Sequence, residues 1–152
     1  MTLTQTTAAD IAPLQDLLDR IALFPGEMLP DMIASYLNGD TMQLWLTLRE
    51  GDKPLGFCFA EPEQLTEGTW NMRAIGVAAD AQRSGHGATI VSGLEARLRD
   101  LGARLLIVDT ASSEELAPAR GLYRKLGYAE EARIRDFWAP GEDKIVYWKA
   151  LS

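Results

Sequence analysis

Hydrophobic positions along this chain switch repeatedly between helical and strand periods. Ile11, Leu14, Leu17, Leu18 and Ile21 recur at helical spacing, which puts one apolar stripe on a helix. Asp10 stands before the stripe as a candidate N-cap, with Pro13 in the first turn. A second helix is expected over residues 31–37, stopped by Asn38-Gly39. Between the two, Phe24-Pro25-Gly26-Glu27-Met28-Leu29-Pro30 breaks the helical pattern. The period then drops to two: Leu44, Leu46 and Leu48 alternate with Trp45 and Thr47, as in a strand. Glu50-Gly51-Asp52-Lys53-Pro54 reads as a turn, with its hairpin partner over 55–61 and a third long strand over 69–77. Helical spacing returns from residue 88 to about 101, where Gly102 ends it, and again over 116–126, ended by Gly127. Ser112 or Ser113 is placed to cap the later helix. A buried strand at 104–109 lies between these helices, and 129–136 with 144–151 form a closing pair. With a first strand at residues 2–6, the order is βααβββαβαββ, an α/β layout whose mixed central sheet is flanked by helices.

Composition adds bounds. A length of 152 residues suits one domain, and no repeat, low-complexity tract or linker divides it, so a single domain over 1–152 is expected. No apolar run reaches the ~18 residues that cross a bilayer. The first seven residues lack the basic and apolar regions of a signal peptide. The single cysteine, Cys58, cannot build an internal disulfide framework. Together these predict a cytoplasmic protein with no membrane partner. The net charge of −7 reads either as a solvated acidic surface or as a field that favours a cationic amine. Nucleic acid is not an expected partner, because phosphate binding wants a basic patch and Arg97, Arg99 and Arg104 are dispersed. No metal site is predicted.

The candidate chemistry sits between the third long strand and the helix after it. Ala74-Ile75-Gly76-Val77 leads into Gln82-Arg83-Ser84-Gly85-His86-Gly87-Ala88. Glycine allows close approach of a ligand to the backbone and tolerates positive φ. The first turn of a helix carries unpaired N–H donors and the positive end of its dipole. A strand, a glycine-bearing turn and a helix therefore make an anion site that needs no basic side chain. A P-loop would require Lys-Ser or Lys-Thr after the glycines, and none follows. A dinucleotide loop would require a third glycine where Ile90 stands.

Gln82-x-x-Gly85-x-Gly87-Ala88 resembles the Q/R-x-x-G-x-G/A loop of the GNAT acetyltransferase superfamily. Ile75-Gly76-Val77 is similar to that family's preceding strand, and Ala119-x-x-Leu122-Tyr123-x-x-x-Gly127-Tyr128 to its A-x-x-L-Y-x-x-x-G-F/Y helix end. The likeness is clear from about residue 70 to 151. It implies acetyl-CoA as cofactor, with its diphosphate on the backbone amides of Arg83, Ser84, Gly85, His86, Gly87 and Ala88 after Gln82. It also implies that backbone groups of Ile75 and Val77 face the pantetheine arm, where Gly76 would suit a bulge that splays adjacent strands. The implied activity is acetyl transfer to a primary amine of a small molecule or peptide; the oligomeric state is not readable from the residues, and a homodimer enters only because dimers are common in the family. A catalytically idle coenzyme-binding sensor on the same fold is the alternative.

Tyr123 occupies the family's proton-donor position, and a phenol with an ordinary pKa of ~10 is protonated at neutral pH. Packing of helix against sheet is the other reading of this side chain. The family's asparagine seven residues earlier is Leu116 here. Glu61, Glu67 and Asp109 are candidates for a general base, each also readable as a solvated or strand-end charge. Trp45, Trp70 and Trp138 are candidates for an acceptor pocket or for the core. The segment 135–144 resembles the D-F/Y-Y-x-x-G-x-D stretch that approaches the acceptor in many GNAT enzymes, and Pro140-Gly141 alternatively makes a plain hairpin turn there. The early loop at 24–31 is a second candidate pocket wall.

Overall fold

A computed structural model describes every residue of the chain except Ala22, Gln82 and Arg83. Its elements are β1 (Thr2–Gln5), α1 (Ile11–Leu18), α2 (Leu29–Leu37), β2 (Leu44–Glu50), β3 (Lys53–Pro62), β4 (Thr69–Val77), α3 (His86–Asp100), β5 (Leu105–Ala111), α4 (Ala117–Lys125), β6 (Ala129–Ala139) and β7 (Glu142–Ala150), with a short 3-10 turn before each helix. This is the order that the hydrophobic pattern predicts. The strands form a mixed sheet in the order β1-β2-β3-β4-β5-β7-β6. β4 and β5 are parallel; such a pair needs a crossover, and α3 supplies it. The β1–β2, β2–β3, β5–β7 and β6–β7 pairs are antiparallel. Among the described residues no helix is long and apolar enough to cross a membrane.

The chain divides into two compact units, Met1–Glu61 with Ala74–Ala96, and Pro62–Arg73 with Arg97–Ser152. In the first, the stripe predicted on α1 is buried at Leu14, Leu17 and Leu18 and packs with Leu29, Ile33, Trp45 and Phe57. Both faces of β2 are buried over its first five residues. Trp45 is fully buried and stacks on Phe59 at 4.3 Å between ring centroids. Thr47, on the same face, is buried too and meets its polar need through the Thr6 hydroxyl at 2.7 Å, as a buried hydroxyl must. Cys58 is buried and forms no disulfide among the described residues.

Two expectations about α1 and α2 change. Asp10 does not cap α1: a 3-10 turn begins at Ala8, one turn earlier, so Asp10 is already helical (φ −82°, ψ −13°). Its carboxylate instead turns back to accept the Thr7 N–H at 2.9 Å and accepts from both terminal nitrogens of the Arg49 guanidinium at 2.8 Å. α2 starts at Leu29 rather than residue 31, with Pro30 in its first turn, where the missing N–H removes no intrahelical bond. Gly39 then leaves the helix with φ +75°.

In the second unit, β5 starts at Leu105 and runs on to Ala111, past the expected end. It pairs along its whole length with β7, from Leu105↔Ala150 to Ala111↔Lys144. α4 starts at Ala117, after a 3-10 turn whose N-cap, Ser113, makes no side-chain cap bond. The Ser112 hydroxyl does not cap either; it accepts the Asp143 N–H at 2.9 Å. β6 is an edge strand that is exposed from Ala129 to Trp138. Its charges at Glu130, Glu131, Arg133 and Arg135 discourage pairing with another chain. Near its end the register shifts between Ile134 and Ala139, and Asp136 adopts φ +55°. The Asp136 carboxylate stabilises that conformation by accepting the Gly141 N–H at 2.9 Å, while its own N–H donates to Asp143 at 3.0 Å.

Candidate functional site

In the first unit, α3 begins at His86, two residues ahead of the expected start, so His86 and Gly87 open the helix rather than the turn. Gly85 takes φ +80° and a Cβ placed on it would meet nothing within 4 Å. The need for glycine there is conformational, not a lack of room. Its carbonyl accepts the Thr89 N–H at 3.1 Å and the Thr89 hydroxyl at 3.1 Å. The N–H groups of His86, Gly87 and Ala88 precede that first intrahelical donor and so lack an intrahelical acceptor. Ser84 and Gly85 are exposed, while His86, Gly87 and Ala88 are half-buried. Unpaired donors, a dipole end and an open glycine can hold an anion. Gln82 and Arg83 lie outside the described residues.

Ile75 and Val77 are half-buried at the end of β4, with buried Gly76 between them. A Cβ at Gly76 would lie 2.8 Å from the Phe57 ring and 2.9 Å from the Ile21 side chain. Close packing is therefore one physical requirement for glycine at this position. A Cβ at Gly56 would lie 2.7 Å from the Gly76 carbonyl oxygen, so β3 and β4 approach through two glycines. The parallel pairing of β4 with β5 runs from Thr69↔Leu105 to Met72↔Val108, and its register ends short of Ile75.

The second unit gathers polar groups that come from separate strands. The Asn71 amide donates to Glu63 at 2.9 Å and to Asp109 at 3.3 Å. Arg73 spans the same two carboxylates at 3.1 and 3.9 Å. Lys144 approaches Asp109 from β7 at 3.4 Å. Asp109, one of three base candidates, is thus bound on several sides. Glu61, in the first unit, accepts the Gln43 side-chain amide at 3.2 Å, and Glu67 lies exposed with its backbone carbonyl bound by Arg104.

Tyr123 is 2% exposed and packs against Tyr147 and Tyr128, with ring centroids 5.4 and 5.9 Å away. The packing reading of this residue is therefore correct as far as the ring goes. Tyr147 is fully buried, and its hydroxyl has no hydrogen-bond partner among the described residues; the same holds for the Asn71 carbonyl oxygen. The three tryptophan candidates separate: Trp45 and Trp70 are core, whereas Trp138 is half exposed and donates its indole N–H to the Thr110 carbonyl at 3.1 Å. The early loop is tied to α1, through the Gly26 N–H to Asp19 at 3.0 Å and the Gln15 amide to the Gly26 carbonyl at 3.2 Å.

Asn71, Arg73, Lys144 and Tyr147 escape a sequence reading. One signal was present: asparagine is depleted in strands, so Asn71 inside an apolar strand, with Arg73 two residues on and on the same face, marks a polar site.

A family model described as the Acetyltransferase (GNAT) family matches residues 11–128. No curated protein matches the chain. Among solved structures, a protein assigned to the GNAT family from Desulfovibrio desulfuricans superposes with a TM-score of 0.89 at 24% identity, covering 99% of each chain. The ribosomal-protein-S18-alanine N-acetyltransferase of Escherichia coli gives 0.81 at 22% identity, covering 99% of this chain and 94% of that one. The Salmonella typhimurium protein yncA, solved with acetyl-CoA, gives 0.78 at 17% identity, with 99% and 94% covered. Sequence matched across most of the length, the helix-start loop and the shared mixed-sheet fold lead to one conclusion: this chain belongs to the GNAT acetyltransferase family.

Proposed function

We propose that this chain is a single-domain, cytoplasmic N-acetyltransferase that uses acetyl-CoA and acts on a primary amine of a small molecule or peptide. The observation that carries the reading is the start of α3, where Gly85 at φ +80° leaves the amides of His86, Gly87 and Ala88 without intrahelical acceptors. Such donors suit the diphosphate of the cofactor, and the related yncA was solved with acetyl-CoA. In this reading Gln82, Arg83 and Ser84 complete the loop, and Ile75 and Val77 supply backbone groups to the pantetheine arm. Acetyl-CoA supplies an activated thioester. Tyr123 holds a phenolic proton for the departing sulfur, and its packing against Tyr147 and Tyr128 fixes the ring in one orientation.

Calorimetry with acetyl-CoA, followed by a coenzyme-release assay over a panel of amines, tests the reading. Absence of heat at millimolar cofactor would count against it. Replacing Tyr123 with Phe should lower turnover by roughly 10²-fold while binding persists; a normal rate would leave Tyr123 a packing residue only. A coenzyme-binding sensor is the second reading. It is favoured by Leu116 at the family's asparagine position and by an Asp109 carboxylate already engaged by Arg73 and Lys144. Cofactor binding without coenzyme release on any amine would support it.

A further inference from the structure

Lys144 is placed unlike an ordinary surface lysine. Its side chain is only 20% exposed, although a long ammonium-tipped chain normally keeps its head in water. The ε-ammonium lies 3.4 Å from the Asp109 carboxylate and 4.5 Å from the centroid of the Phe137 ring. A carboxylate and an aromatic face together are the chemistry that recognises an alkylammonium. The ring belongs to a held structure: Phe137 meets Trp138 edge-on at 4.7 Å, and the Trp138 indole N–H anchors that pair to the Thr110 carbonyl. Phe137 and Trp138 are nonetheless 47% and 50% exposed, so an incoming group can reach them.

We propose that Asp109 and Phe137 form a binding site for the ammonium head of a cationic primary amine, which the Lys144 side chain occupies as an internal stand-in. The head group of such an amine, a methylene carrying NH₃⁺, is the head group of lysine itself. The protein's net charge of −7 favours the approach of a cation over that of a neutral or anionic molecule. Identifying this cation with the acetyl acceptor rests on the acetyltransferase reading above. The existence of the site does not.

The probe is n-butylammonium chloride, added without cofactor and followed through the Trp138 indole N–H resonance by NMR. Lys144→Met removes the resident ammonium, leaving Asn71 and Arg73 beside Asp109, and this emptied variant should bind the probe about tenfold more tightly than the wild type, a change within the range of one cation–aromatic contact plus its ion pair. Lys144→Gln carries the same expectation should the first variant fold poorly. Phe137→Ala in the emptied variant should abolish the gain, and n-butanol should not reproduce it. In the wild type, high probe concentrations should shift the Trp138 resonance, and Phe137→Ala, a change at a half-exposed ring, should remove that shift. A folded Lys144→Met that binds no more tightly, equal binding of n-butanol, or a wild type indifferent to the probe overturns the proposal. Coenzyme release separates the two readings. A protein that binds butylammonium but acetylates no amine keeps this site and loses the transferase reading. One that acetylates amines while the emptied variant gains nothing does the reverse.

Discussion

Replacing Arg49 with Met should expose what the Asp10 carboxylate contributes. The Asp10 side chain is 6% exposed and that of Arg49 19%. Two guanidinium bonds at 2.8 Å are lost, leaving the Thr7 N–H at 2.9 Å as a remaining donor. Breaking a buried pair by removing one partner costs about 3–5 kcal/mol, and an exposed pair is worth about 0.2–1 kcal/mol. A carboxylate buried beside a partly exposed arginine lies between these limits, at about 2–3 kcal/mol at pH 7. For a domain of this size that lowers Tm by about 5–10 °C. The penalty should depend on pH. The Arg49 hydrogen bonds are the main reason the Asp10 carboxyl sits below its ordinary 3.8, with the Thr7 N–H helping and burial opposing. A carboxyl depressed in the folded state contributes stability that is complete above the unfolded value of ~3.9 and is lost as pH falls through the folded value. The variant no longer has this contribution, so the gap between wild type and variant should narrow on going from pH 7 to pH 3. A small remainder persists, because the Arg49 bond to the Thr4 hydroxyl at 3.1 Å does not titrate. Urea denaturation at the two pH values measures it. A difference under about 1 kcal/mol at pH 7, or one unchanged at pH 3, would refute the reasoning.

Three other outcomes follow from the packing. Gly76→Ala places a methyl 2.8 Å from the Phe57 ring and should destabilise by about 1–3 kcal/mol in urea; a neutral result would show that the core yields there. Tyr147→Phe removes a buried hydroxyl that lacks a partner among the described residues and should raise stability by about 1 kcal/mol, seen as a higher Tm; a drop would mean that the hydroxyl is bonded. Gly85→Ala forces φ +80° on a residue with a Cβ, at a cost of about 1–2 kcal/mol. It should weaken acetyl-CoA binding by calorimetry about tenfold, and unchanged affinity would remove the loop from the proposed cofactor site.

The order of elements was legible from the residues because period and punctuation are local. Alternation at Leu44–Leu48, helical spacing at Ile11–Ile21 and glycines at 39, 102 and 127 each act within a few residues of themselves. The helix-start loop and the Leu-Tyr helix end were legible for the same reason. The fate of individual side chains was not. Trp45 and Trp138 look alike in a sequence, yet one is stacked in the core and the other is half exposed. Asp10 fits a cap by position, and only Arg49, brought in on β2, shows why its carboxylate turns elsewhere. The grouping of Asn71, Arg73, Asp109 and Lys144 arises because β4 is parallel to β5 while β7 is antiparallel to it. Register across a sheet decides which distant residues share a face, and a hydrophobic pattern read along one strand contains no term for its neighbour.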